Sequence, residues 1–317
     1  MSTAIATRPL GRTGEQATVV GLGGAGLPRQ SFADGVATVH RALELGVTYF
    51  DTSPVYGEGL SQAILGVALE GRTEPYLLAT KLGHLATPAR FRSVDSLRTQ
   101  LEENLRLLRP KQVAVLQVHE ADYHHWWSDD TGYRGRLQPD TEYAFATAPV
   151  MQVLLEEKAR GRCRFIGITG NTSEPLARIL RDVEVDTCLA AFNYDAIQRG
   201  TRRHVLPAAR AQGVAVILGG VFENGRLATR HPEWRRTPPP SMSAEMHRLV
   251  LRLYALQEES GLSLVSLILR YLVADPAPAT ILVGARKPAE IEESVAAVQA
   301  GPLPPDLHRA VENLALP

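Results

Sequence analysis

The stretch Val47-Thr-Tyr-Phe-Asp51-Thr-Ser-Pro-Val-Tyr56-Gly-Glu-Gly59 carries the plan of the chain in miniature. A short β-branched and aromatic run ends in an aspartate, turn residues follow, and a helical pattern opens at Leu60. Upstream, residues 32–45 have the apolar spacing of a helix, and Gly46 stands where a C-cap belongs. The same unit recurs along the sequence. Strand patterns read at 17–22, 47–51, 76–80, 113–118, 164–169, 187–192, 214–218 and 280–283. Helical patterns read at 32–45, 60–69, 94–108, 149–160, 174–181, 202–212, 244–274 (interrupted near Gly261) and 288–298. Most of the strand runs are aliphatic or β-branched throughout, as suits parallel strands buried on both faces. Gly71, Gly161 and Gly213 close helices as Gly46 does.

Strands that alternate with crossover helices in this number predict the α/β class, and a (β/α)₈ TIM barrel is the economical closure. Such barrels take ~250 residues, so a chain of 317 has length to spare. The surplus falls at 120–148, at 219–243 and in a terminal extra helix near 305–316. The first two follow strands, on the face where barrels build their sites. The opening Arg8-Pro-Leu-Gly-Arg-Thr-Gly14 reads as an N-terminal hairpin plugging the opposite end. No linker or low-complexity tract interrupts the pattern, so residues 1–317 are expected to form one domain.

Composition narrows the function. Lys+Arg and Asp+Glu both number 34, giving a formal net charge of zero. That balance offers no electrostatic reason for nucleic acid or an anionic membrane as partner. The two cysteines, Cys163 and Cys188, make no disulfide framework and lack metal-ligand spacing, which points to a reducing cytoplasm. Residues 1–9 hold no apolar core of signal-peptide length. The longest apolar run, 262–274, is too short to span a bilayer. The expected partner is a small molecule, and the expected state a monomer or weak homo-oligomer.

Gly21-Leu-Gly-Gly-Ala-Gly26 follows a strand and fits the dinucleotide fingerprint G-x-G-x-x-G. That motif needs a helix opening inside the glycines, so that its N-terminus meets the pyrophosphate. Here Pro28 and Arg29 follow, and the helix opens only near Ser31-Phe32. The glycines read instead as a tight turn on the first barrel strand, close enough for a ligand to approach the backbone.

Chemistry-bearing side chains stand at or just past consecutive strand ends: Asp51, Tyr56, Lys81 and His119. Taken singly, Asp51 reads as a turn or cap residue and His119 as a packing residue. In a barrel, however, these ends converge on one pocket. Lys81 is one of only four lysines, with Lys111, Lys158 and Lys287, in a chain that otherwise uses arginine. An ammonium lowers the pKa of a neighbouring phenol, ~10 when unperturbed. Asp51 would hold that ammonium, and His119 would orient a substrate oxygen. Together they make a proton relay at a carbonyl or carbinol oxygen, the protein's share of a hydride transfer.

These motifs resemble the aldo-keto reductase family over nearly the whole chain. The likeness rests on Arg8–Gly14, Gly21-Leu-Gly-Gly24, Phe50-Asp-Thr-Ser-Pro-Val-Tyr-Gly-Glu-Gly-Leu-Ser61 with Leu65-Gly66, and Thr80-Lys-Leu-Gly83. It continues in Gln117-Val-His119, Phe165-Ile-Gly-Ile-Thr169 and Ile281-Leu-Val-Gly-Ala-Arg286. The resemblance implies a metal-free, NAD- or NADP-dependent enzyme with Asp51, Tyr56, Lys81 and His119 as catalytic tetrad and Tyr56 as general acid-base. Phe165–Gly170 and Val216–Leu227 look closer to the aldose (galactose or fucose) dehydrogenase-like branch, which oxidises an anomeric hydroxyl to a lactone. A rival reading is a non-catalytic, nucleotide-binding barrel serving as sensor or subunit. A pure binder has no need of a tyrosine–lysine pair.

By the same resemblance the cofactor lies against Gly24, Asp51, Thr169, Gly170, Asn171, Gly219, Gly220, Phe222, Gly225 and Leu227. Its adenosine end lies against Gly284, Ala285, Arg286, Lys287, Glu290 and Ser294, with Glu290 opposing and Arg286 and Lys287 favouring a 2′-phosphate, so dual cofactor use is expected. The sequence departs from the family pattern at Thr169-Gly170-Asn171, at Ala190 in place of a glutamine, and at Gly219 in place of a stacking aromatic. The 120–148 loop holds Tyr123, His124, His125, Trp126, Trp127 and Tyr133. Adjacent histidines rarely ligate one ion together, so no metal is expected there. Tyr123, Trp126 and Trp127 are expected as platforms for the substrate, with packing on the barrel rim as the alternative.

Overall fold

The computed structural model describes residues 4–110, 112–130 and 132–316; Lys111 and the extreme ends of the expected domain lie outside them. Ten strands are described: β1 (Thr7–Pro9), β2 (Gln16–Thr18), β3 (Val20–Gly23), β4 (Tyr49–Asp51), β5 (Leu77–Leu82), β6 (Val113–Val118), β7 (Cys163–Gly170), β8 (Thr187–Ala191), β9 (Ala215–Gly219) and β10 (Thr280–Val283). The last eight close into a barrel in the order β10-β3-β4-β5-β6-β7-β8-β9, every pairing within it parallel. The fold is the expected (β/α)₈ barrel. Helices at Phe32–Glu44, Leu60–Leu69, Val94–Leu108, Pro149–Ala159, Ser173–Asp182, Leu206–Gln212, Leu264–Val273 and Pro288–Gln299 link or flank the strands.

Strand parity decides what faces inward. Tyr49, Leu77, Ala79, Val115, Leu189, Ile217 and Leu282 pack into one cluster inside the barrel. Their neighbours Phe50, Leu78, Leu116, Ile166, Ile168 and Leu218 pack outward against the helices. Because side chains alternate with period two, Asp51, Lys81, Gln117 and His119 share the inward parity of Tyr49, Ala79 and Val115. Residues that would be isolated polar intrusions in a sandwich thus form the top layer of the barrel interior.

The first expected strand, 17–22, proves to be two. Ala17 and Thr18 belong to β2, which pairs antiparallel with β1 as the predicted N-terminal hairpin. The chain breaks at Val19, whose N–H turns to the Ala6 carbonyl at 2.9 Å, before β3 begins. The hairpin closes the N-terminal end of the barrel: Leu10 is fully buried in the interior cluster, and Arg12 N–H donates to the Gly213 carbonyl at 2.9 Å. The Arg8 guanidinium donates to the carbonyls of Val273, Asp275 and Pro278, fixing the hairpin to the turn that precedes β10.

Smaller differences have local causes. The 202–212 helix begins as a π-helical turn, Thr201–Val205, because Pro207 supplies no N–H for a regular turn. The 244–274 pattern divides into Ala244–Ser260 and Leu264–Val273, with Gly261 left-handed at φ 66° and Ser263 capping the second helix. The extra C-terminal helix is Pro305–Glu312. Among the described residues, no helix is long and apolar enough to cross a membrane.

Candidate active site

The register of β4 against β5 places Asp51 beside Ala79, and Lys81 lies one inward step beyond. The Lys81 ammonium reaches back to Asp51 Oδ1 and to the Thr52 carbonyl at 2.8 Å. Gln117, aligned with Lys81 across β5 and β6, donates Nε2 to the other Asp51 oxygen at 2.9 Å. Asn104 donates to the Lys81 carbonyl at 2.9 Å, holding the strand itself in place. Lys81 is 1% exposed and Asp51 2%, so both charges depend on these contacts. Burial works against the ammonium, but Asp51 and Tyr56 together outweigh it and hold the Lys81 pKa above its usual value.

With two of its three N–H donors spent, Lys81 faces Tyr56, its Nζ 4.8 Å from the ring centroid. Tyr56 in turn meets the His119 ring edge-on, with centroids 5.8 Å apart. The structure therefore brings Asp51, Tyr56, Lys81 and His119 together at the C-terminal mouth of the barrel. The expected depression of the phenol pKa is present as a component and does not win. Burial raises the Tyr56 pKa, Lys81 lowers it, and the balance lies above the ordinary value. At neutral pH the phenol rests protonated, an acid held ready. His119 moves the opposite way: burial first, then Lys81 and His84, keep its imidazole well below the usual histidine range. It is neutral, with Nδ1 2.9 Å from Ser53 Oγ. Ser53 and Gln117 were not singled out in the sequence, although inward parity and the Asp-Thr-Ser run could have pointed to them.

The tryptophans are placed otherwise than expected. Trp126 is fully buried and Trp127 is 4% exposed. Their indole N–H groups donate to the His119 and Ala121 carbonyls. They pack and brace the end of β6; a buried indole whose only donor is taken offers no platform. Tyr123 remains at the rim, half-buried, stacked on His125 and 3.9 Å from the Arg136 guanidinium. His124 is buried with Nδ1 2.8 Å from the Tyr143 hydroxyl, and burial lowers the His125 pKa to about 4. Among the described residues, no cluster of three or more His, Cys, Asp or Glu could hold a metal ion.

The residues expected against the cofactor fall into two groups. Gly24 is buried: a Cβ there would meet Ser61 Oγ at 2.4 Å and the Asp51 carbonyl at 2.9 Å. The space a side chain would need there is filled by protein, so the turn, a 3₁₀ segment Gly24–Arg29, requires glycine at that point. Gly170 is likewise packed on Asp122, and Thr169 Oγ1 accepts the Glu120 N–H at 3.0 Å. Gly219, Leu227, Ala285 and Ser294 are buried, and Ser294 spends its hydroxyl on the Glu290 carbonyl. These residues shape the rim from behind. Asn171, Gly220, Phe222, Gly225, Gly284, Arg286, Lys287 and Glu290 keep exposed or half-exposed surface. Gly284 and Gly225 have nothing within 4 Å of a Cβ position, leaving room for a bound group at the barrel mouth. Asn171 donates Nδ2 to Glu120 at 2.6 Å, and its Oδ1 accepts no bond from the described residues. Arg286, Lys287 and the N-terminus of Pro288–Gln299 suit phosphate oxygens. The residues present thus fit a dinucleotide along this rim.

Two features of that rim were not legible in the sequence. Phe192 has a left-handed backbone, φ 61°, and its ring lies where a Cβ on Gly220 would come within 2.5 Å, so only glycine fits there. Under the same loop, Glu223 is hydrogen-bonded to Asp195, a fully buried carboxyl whose Oδ1 accepts from Ile197 and Gln198. Among the described residues, Asp195 Oδ2 and Glu223 Oε1 find no N–H or O–H donor, and a proton kept on Glu223 is what the two carboxyls have to share. Burial first, then Asp195, pushes the Glu223 pKa up to about 8.

The barrel mouth thus sets a buried lysine–carboxylate pair beneath a protonated tyrosine and a neutral histidine. The sequence profile of the aldo/keto reductase family matches residues 19–315, and the chain belongs to that family. It is an oxidoreductase. L-galactose dehydrogenase of Arabidopsis thaliana is 32% identical over 307 residues, covering 93% of this chain and 89% of that protein. Pyridoxal 4-dehydrogenase of Microbacterium luteolum is 26% identical, covering 91% of each chain. D-threo-aldose 1-dehydrogenase of a Pseudomonas species is 23% identical, covering 81% of each. The holo form of an aldo-keto reductase from Bacillus halodurans superposes with a TM-score of 0.76 at 22% identity, over 98% of this chain and 97% of that one.

The shared proton makes stability depend on pH. Between about 4.5, the ordinary glutamate value, and about 8, the folded state keeps a proton that the unfolded chain releases. Stability should therefore decline as pH rises through that window and level off above it. Glu223→Gln, which donates to Asp195 without titrating, should flatten the decline. Thermal melts of both proteins from pH 4.5 to 9 check this; parallel profiles would contradict the shared proton.

Proposed function

We propose that this chain is an NAD(P)-dependent dehydrogenase or reductase of aldoses and similar small polyhydroxylated carbonyl compounds. The observation that carries the reading is the Lys81 ammonium held between Asp51 and Tyr56. In the reducing direction Tyr56 gives its proton to the substrate oxygen, and Lys81 stabilises the phenolate that forms. In the oxidising direction the same phenolate takes the hydroxyl proton. His119, neutral and tied to Ser53 through Nδ1, offers its other ring nitrogen to the same oxygen. A bound nicotinamide supplies or accepts the hydride.

Asn171 would hold the carboxamide through its free Oδ1, and Phe192 and Phe222 supply the aromatic surface that Gly219 lacks. The relatives named for L-galactose and D-threo-aldose support a sugar substrate. We take the chain to work as one domain, as a monomer or weak homo-oligomer, in the cytoplasm. The non-catalytic alternative is not favoured, since nothing in dinucleotide binding alone calls for a proton donor beside a buried ammonium.

The test is turnover of an aldose panel with NAD⁺ and NADP⁺, followed by absorbance of the reduced cofactor. Tyr56→Phe should lose ~10²–10⁴-fold in kcat while still binding cofactor. Turnover within a factor of two of wild type would remove Tyr56 from the mechanism.

Cofactor choice turns on one clasp. Glu290 Oε2 accepts the Arg286 backbone N–H at 2.8 Å, and Glu290 Oε1 accepts the guanidinium Nη2 at 2.8 Å. Arg286 is thereby partly neutralised before any ligand arrives, while Lys287 is exposed. The opposing charges favour dual use, with a preference below about a hundredfold, or ~2.7 kcal/mol. Arg286→Ala frees the carboxylate and should move the kcat/KM ratio toward NAD; Glu290→Gln frees the guanidinium and should move it toward NADP. Initial rates with both cofactors decide it, and an unchanged ratio in both variants would take this turn away from the ribose.

A further inference from the structure

Two residues beside the tetrad hold their side chains out on left-handed backbone. His84, two positions past the end of β5, has φ 54°, and Glu120, next to His119, has φ 51°. Neither is glycine, so each carries a steric cost that a looser turn would avoid. The cost brings them together: His84 Nε2 lies 3.3 Å from Glu120 Oε2. The His84 ring also meets the His119 ring with centroids 4.5 Å apart. A histidine–carboxylate contact with side chains 37% and 22% exposed contributes little to stability. Stability alone does not account for two strained residues aimed at one spot.

The chemistry of the spot is specific. Burial would raise the Glu120 pKa, but His84, Arg136 and Asn171 outweigh it, so Glu120 is an anion across the neutral range. One of its oxygens accepts from Asn171 and the other faces His84, and each keeps a further lone pair. A neutral His84 imidazole that donates its Nε2–H to Glu120 presents Nδ1 as an acceptor. What remains open on both residues accepts hydrogen bonds. Such a surface suits hydroxyl donors and offers nothing to an alkyl chain.

We propose that His84 and Glu120 form a hydroxyl-binding subsite beside His119, which reads the hydroxyl groups on the carbons next to the reacting one. The substrates it selects are α-hydroxy carbonyl compounds and their cyclic hemiacetals, rather than plain aldehydes. The assignment rests on the oxidoreductase reading above and narrows its substrate class. Asn171 links the subsite to the cofactor rim, so Glu120 also orients the amide expected to meet the nicotinamide.

The test compares reduction of glyceraldehyde with reduction of propanal, which has the same carbon chain without the hydroxyls. Wild type, Glu120→Gln and His84→Phe are each assayed with NADH and NADPH. Glutamine keeps the shape of Glu120 without its charge, and phenylalanine keeps the packing on His119 without its nitrogens. The ratio of kcat/KM for glyceraldehyde over propanal should fall about tenfold or more in both variants, the loss of one charge-assisted hydrogen bond, and mainly through KM. A ratio within twofold of wild type in a folded variant overturns the subsite and leaves the oxidoreductase reading standing. Should one variant fail to fold, the other decides by the same criterion. A wild-type protein inert toward both aldehydes with both cofactors overturns the oxidoreductase reading, and the subsite with it.

Discussion

The buried ion pair between Lys81 and Asp51 is the constraint around which the barrel mouth is arranged. Two charges removed from water are costly, and an apolar pair of similar volume would often be at least as stable. The pair therefore contributes position more than stability. Its geometry follows from the β4–β5 register, which sets Asp51 beside Ala79 and leaves Lys81 one inward step higher. Gln117 satisfies the second Asp51 oxygen, and Asn104 anchors the Lys81 carbonyl. Changing any of these leaves a buried polar group without a partner.

From that anchor the mouth grades from dry to wet. At the base, Lys81 is enclosed, its charge held by Asp51 and the Thr52 carbonyl beneath the Tyr56 ring. One layer up, Tyr56 and His119 are desolvated enough to rest uncharged. At the rim, Glu120 and His84 keep solvent access, and Glu120 keeps its charge. In the proposed mechanism a neutral acid below moves the proton and an anionic acceptor above selects what arrives. Asp122 fixes this rim from within: it is fully buried, pairs with Arg136, and accepts from Asn171 N–H and the Thr172 hydroxyl. The long loop after β6 is therefore tied to the end of β7.

The fold was legible because each strand-and-helix unit carries its own apolar pattern, and several carry a glycine stop at Gly46, Gly71, Gly161 or Gly213. Asp51, Lys81 and His119 were legible for a related reason, since each interrupts an apolar run at its end. The failures came where meaning depends on contacts distant in sequence. Trp126 and Trp127 look alike as platforms or as packing until their indole donors are traced to backbone carbonyls. The tight packing of Gly24 on Ser61 and the Asp51 carbonyl is likewise invisible until the turn is folded. The Asp195–Glu223 contact joins loops 28 residues apart, and left-handed backbone at His84, Glu120 and Phe192 leaves no mark in residue type.

The Lys81 ammonium keeps the Tyr56 phenol within reach of ionisation against the pull of burial. An NMR titration of the tyrosine ring carbons, with Tyr56 assigned by its loss in Tyr56→Phe, tests this directly in wild type and Lys81→Met. The Tyr56 midpoint should lie above the ordinary value of 10.0 in the free wild-type protein, and higher still once the ammonium is gone. Equal midpoints in the two proteins would contradict it.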